Sequence, residues 1–122
     1  MQPSAGLYIG TDVDSRWRDR YTRRGFLARG NGRIWTDEQG IFFHRYLTRE
    51  PLFIAWAAVE SIESTAFHSG RWAWGWPILK VRWMDEGLRL SSAFLVSGGR
   101  ADQLEALDAL RREHTARGSG VF

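Results

Sequence analysis

Apolar and polar residues alternate with period two along most of the chain, and the pattern changes once, near residue 100. Leu79, Val81 and Trp83 alternate with Lys80 and Arg82, which reads as a half-buried strand with two cations on its other face. Asp85-Glu-Gly87 follows as a tight turn. Leu88, Leu90, Phe94 and Val96 then share one side of a second strand, giving the clearest hairpin in the chain.

Upstream, Phe26–Arg29, Arg33–Thr36 and Ile41–Leu47 read as strands. Gly30-Asn-Gly32 is a hairpin or bulge signal between the first two, and Asp37–Gly40 is a loop. Thr48-Arg-Glu-Pro51 ends the third, because proline cannot donate to a central ladder. Leu52, Ile54 and Trp56 alternate on the next strand. Val59 and Ile62 either continue it or lie on a strand after a bend. Glu63 to Pro77 is the longest stretch without a regular period.

Beyond Ser97 the period lengthens. Leu104, Leu107 and Leu110, with Ala101 before them, predict one amphipathic helix over about residues 99–116. Ser97 or Gly99 starts it; basic Arg111, Arg112 and Arg117 suit its C-terminus, and Gly118 ends it. Such a sheet exposes its edges unless it curls, and the helix needs a mouth in which to bury its stripe. The fold expected is mainly β: a small, partly open antiparallel barrel of about seven strands, or an orthogonal sandwich, capped by one C-terminal α-helix.

Composition adds limits. The chain has 122 residues, 43% hydrophobic and 25% charged, which suits one soluble globular domain. Without cysteine it can form neither disulfides nor thiolate metal sites. No apolar run approaches the roughly 18 residues that span a bilayer. The start, MQPSAGLYIGTDVDSRW, lacks the basic opening and apolar centre of a signal peptide. The location expected is therefore cytoplasmic, with peripheral contact at the inner face of the membrane as an option. The net charge of +3 permits contact with an anionic surface without demanding it, and GC-rich coding accounts for sixteen Arg beside a single Lys.

Residues 1–24 read as a basic lead-in, because Gly6, Gly10, Thr11 and Asp12 are turn formers and Arg16–Arg24 is a basic run. Trp17 and Tyr21 would share a face on a helical turn, against a membrane or partner. The preferred reading is a solvated lead-in packed on the domain edge. The domain itself is expected over 25–117, with a tail at 118–122.

Gly30-Asn-Gly-Arg-Ile-Trp-Thr-Asp-Glu-Gln-Gly-Ile-Phe-Phe43, then Leu52-Phe-Ile-Ala-Trp56 leading to Val59-Glu-Ser-Ile62, resembles bacterial pleckstrin-homology-like (PH-like) and GRAM-like domains. Ile78–Trp83, the hairpin to Ser91-Ser-Ala-Phe94 and the closing helix extend the likeness over about residues 25 to 115. Ala55 stands where the family often has Pro. The resemblance implies a non-catalytic binding module for a protein partner or an anionic membrane surface. Eukaryotic members often hold phosphoinositides through Lys and Arg in the loop between the first two strands. Only Arg29 and Arg33 flank that loop here, which argues against such recognition.

Other chemistry has little support. His44, His68 and His114 lie far apart, none at metal-binding spacing. Asp12 and Asp14 form only a D-x-D fragment, no G-x-S-x-G elbow appears, and Ser91-Ser92 lie within a strand. No enzyme activity and no cofactor are expected. Nucleic-acid binding ranks below protein or lipid binding, because most aromatic residues fall on strand positions that the core requires. The binding candidates are Arg71, Trp72, Trp74 and Trp76, with Lys80 and Arg82. In extended chain the three Trp rings project to one side. Three coverings stay open for them: the barrel or helix, a second copy in a homo-oligomer, or the headgroup layer of a membrane. The retention of a small apolar ligand is a further alternative.

Overall fold

The computed structural model describes residues 1–13, 16–20, 30–46, 51–65, 67–68, 71–72, 77–96 and 100–117. Ten strands precede one helix. They are β1 (Ser4–Val13), β2 (Arg16–Arg20), β3 (Gly30–Thr36), β4 (Gly40–Arg45), β5 (Leu52–Ala55), β6 (Val59–Thr65), β7 (Phe67–His68), β8 (Arg71–Trp72), β9 (Ile78–Asp85), β10 (Leu88–Val96) and α1 (Arg100–Arg117). Eight strands form one antiparallel sheet, seven in the order β5-β4-β3-β1-β10-β9-β6 with β2 paired to β1 off that path, and β7 with β8 forms a separate small hairpin. A single 3-10 turn, Trp56–Ala58, joins β5 to β6, the two ends of that sheet. A connection this short draws the two ends together at one corner and curls the sheet into a half-barrel.

The inner face follows the alternation. Leu79, Val81 and Trp83 on β9 meet Leu90, Phe94 and Val96 on β10, Ile34 on β3, Ile41 and Phe43 on β4, and Ile54 on β5 in one core. Leu107 and Leu110 of α1 join the same cluster, so the helix closes the half-barrel as expected. In the Asp85–Leu88 hairpin, Glu86 (φ 51°) and Gly87 (φ 80°) both take positive φ, which matches the right-handed twist of the flanking strands.

The first correction concerns the N-terminus. Ser4–Val13 is no lead-in: it lies mid-sheet, paired with β10 on one side and β3 on the other. Its turn-forming residues serve other ends. The register of β1 on β10 shifts between Tyr8 and Gly10, where Gly10 takes φ 145°, so Ile9 is the extra residue of a bulge. The bulge keeps Tyr8 and Thr11 on one inner face, opposite Phe94 and Ser92. Phe26–Arg29, the expected first strand, lies outside the described residues.

Gly30-Asn-Gly32 is likewise strand, not turn. A Cβ on Gly32 would stand 2.1 Å from the His44 carbonyl oxygen, so glycine is there because β4 approaches too closely for any side chain. The helix stripe also differs. Leu104 is exposed, and the buried positions are Gln103, Ala106, Leu107 and Leu110. An amide thus stands where the leucine pattern pointed elsewhere.

Candidate functional site

Three arrangements of polar or aromatic groups stand out, one inside the half-barrel and two on the outer face of its sheet.

Inside, Trp83 Nε1 donates to Ser92 Oγ (2.9 Å), Ser92 Oγ is 2.6 Å from Thr11 Oγ1, and Thr11 Oγ1 is 2.6 Å from the Tyr8 hydroxyl. All four residues are buried. The chain of bonds runs from β9 through β10 to β1, so it fixes the register of the three central strands. A buried hydroxyl without such a partner would be costly.

On the outer face, Lys80 and Arg82 project from β9. Their neighbours across the pairing are Glu63 and Ser61 on β6, and Ala93 and Ser91 on β10; Ser91 in turn opposes Asp12 on β1. Arg82 Nε lies 3.2 Å from Glu63 Oε2 as an ion pair, without the alignment of a hydrogen bond. Ser61 Oγ donates to the same carboxylate oxygen at 3.1 Å. Burial pushes the Lys80 ammonium below its ordinary pKa and the Arg82 charge adds to this, while Glu63 and Asp12 act in the opposite sense. Asp12 and Ser91 are buried, as are Ile9, Ile78 and Ala93, which form a second apolar cluster on this half of the sheet. Arg82 is therefore ion-paired with Glu63, while Lys80 is half-buried and its charged form is disfavoured.

The structure brings Lys80 and Arg82 together as the sequence suggested. Arg71 and Trp72 form β8, opposite His68 and Phe67, while their side chains, with Trp74 and Trp76, lie outside the described residues.

The third arrangement was not foreseen. Trp35 on β3, Phe42 on β4 and Phe53 on β5 face outward, register partner beside register partner. The Trp35 and Phe42 rings lie 5.3 Å apart, nearly parallel at 5°, and Phe42 and Phe53 lie 4.8 Å apart. Phe53 is 41% exposed. From the sequence, most strand aromatics are expected in the core, and none of these three is singled out. The signal was present in the sequence: with Ile34, Ile41, Phe43 and Ile54 inward, period two turns Trp35, Phe42 and Phe53 out.

Among the described residues, no group of three or more His, Asp or Glu is placed to hold a metal ion, and no helix is long and apolar enough to cross a membrane. A curled antiparallel half-barrel closed by a C-terminal helix is the architecture of PH-like domains, a class that often mediates binding. The chain belongs to the bacterial PH domain-like family, whose model matches residues 1–114. That span includes β1, in keeping with its place in the middle of the sheet. A search of curated proteins gives no match.

Proposed function

We propose that this domain is a non-catalytic binding module of the cytoplasm that engages a protein partner, using the outer side of β9 and the connector that precedes it. Arg71, Trp72, Trp74 and Trp76 belong to that connector, and Lys80 and Arg82 to the strand. The observation that supports the choice of partner is that one cation is ion-paired and the other is half-buried. Glu63 pairs with Arg82, and burial disfavours the charged form of Lys80. An anionic bilayer attracts uncompensated charge, each nearby cation adding roughly 1 kcal/mol. A protein surface can instead match a mixed-charge, partly buried patch group by group.

Peripheral attachment to an anionic membrane is the second reading, favoured by the nearness in sequence of three Trp to Arg71. Co-sedimentation with phosphatidylserine-containing vesicles at low salt separates the two. The expected result is weak binding that is the same for the wild type and for Arg71→Glu/Lys80→Glu. Strong binding that the double variant abolishes would overturn the protein-partner reading in favour of the membrane.

A further inference from the structure

The aromatic row lies on the other half of the sheet from β9, and no interaction described above uses it. Antiparallel strands stand about 4.8 Å apart, so a row crossing three of them is about 10 Å long, the reach of roughly three residues of extended chain. It ends at Phe53 on β5, the last strand of the sheet in the described residues. Phe53 is exposed, with Trp35 and Phe42 half-buried beside it, and an aromatic row open in this way favours a covering surface.

Charge narrows the choice. Arg33 is exposed beside Trp35 and faces His44 across the β3–β4 pair, while the outward positions of β3, β4 and β5 carry no carboxylate. In the adjoining turn Asp37 is committed to the backbone N–H groups of Gln39 and Gly40, and Glu38 is exposed. Two copies laid face to face would find no carboxylate for Arg33 among the outward strand positions of the row. Edge-to-edge pairing is discouraged by the shortness of β5, four residues, and by Pro51 just before it. A single cation such as Arg33 holds a domain to an anionic bilayer only weakly. Stacked nucleobases need free ring faces, whereas Trp35 and Phe42 already stack on each other.

We infer that the row Trp35–Phe42–Phe53 is a docking surface for a short protein segment that carries apolar side chains flanked by carboxylates, the apolar groups covering the rings and the carboxylates meeting Arg33. This surface is separate from that of β9, and either can fail without the other.

The test is selection of random peptides displayed on phage against the full chain, followed by affinity measurement of the recovered peptides. The expected peptides pair an aromatic or aliphatic centre with Asp or Glu. Their affinity falls about tenfold or more in Phe53→Ser and in Arg33→Glu, and declines with added salt. Both altered residues are exposed, and circular dichroism confirms that the variants fold. Recovery of no peptide that depends on Phe53, or of peptides lacking acidic residues, overturns the inference. Self-association lost in Phe53→Ser would assign the surface to a second copy, and Phe53-dependent binding to phosphatidylserine vesicles would assign it to lipid; each result also overturns it.

Discussion

β5 and β6 are joined by three residues, yet they end the sheet in opposite ways. On β6 the helix reaches over. Arg111 Nε donates to the Ile62 carbonyl at 2.9 Å, and His114 Nε2 lies 3.1 Å from the Val59 carbonyl. His114 also stacks on Trp56 in the joining turn, with ring centroids 6.4 Å apart. At the far end of the same helix, Gln103 accepts from the Val96 N–H at 2.8 Å and donates to the Val96 carbonyl, serving both backbone groups where β10 ends. β5 has none of this cover among the described residues, and it turns an aromatic ring outward instead. The contrast teaches how the fold divides labour. One end of the sheet is sealed by side chains chosen to satisfy backbone, and the other is kept short and left to present a surface.

Gln103→Leu breaks the sealed end most severely. The substitution keeps the volume but strands a buried N–H and a buried C=O on Val96. At about 1–3 kcal/mol for each unsatisfied group, the expected loss is roughly 2–6 kcal/mol in urea denaturation. A loss below roughly 1 kcal/mol would mean that water or another group takes the amide's place.

Arg111→Ala should cost less, about 1 kcal/mol, because the donor is only partly buried. Its mark should be local: amide exchange along β6 speeds up while β3 and β4 are unchanged. Phe53→Ser sharpens the contrast from the other end. A half-exposed ring contributes little to the core, so stability should stay within about 0.5 kcal/mol of wild type and β6 exchange should not move. A large loss of stability in Phe53→Ser would show that the row is structural and that the two ends are more alike than their geometry suggests.

Much of the sealed end was legible in the sequence. The leucine period announced a helix, which the structure describes over Arg100–Arg117, and the Asp85-Glu-Gly87 hairpin needed only turn chemistry. What escaped was every residue whose role depends on a neighbour distant in sequence. Gly10 and Gly32 read as turn residues, but one supports a bulge against β10 and the other the close approach of β4. Gln103 carries no signal of its role in the sequence, because only the end of β10 makes an amide the right filler. On the candidate surfaces, Lys80 and Arg82 were found by alternation, while the ion pair of Arg82 with Glu63 required the register of β6 on β9. The aromatic row was hidden by a different confusion: strand aromatics suit either face of a sheet, and composition alone does not say which.

The smallest expected effect tests whether burial or ion pairing dominates where β6 meets β9. A folded-state pKa of Lys80 below its ordinary 10.5 means that the unfolded chain holds this proton more tightly than the folded one. The cost of keeping Lys80 charged is then fully present at neutral pH, and it is relieved as pH rises through the folded value toward 10.5. Wild-type stability should therefore rise over that alkaline window relative to Lys80→Gln, which has no proton to release. Paired denaturation curves at neutral and alkaline pH give the difference directly. The opposite slope, with wild type losing stability relative to Lys80→Gln as pH rises, would mean that Glu63 and Asp12 hold the ammonium charged. The outer side of β9 would then offer a partner a net of ion pairs in place of a strained cation.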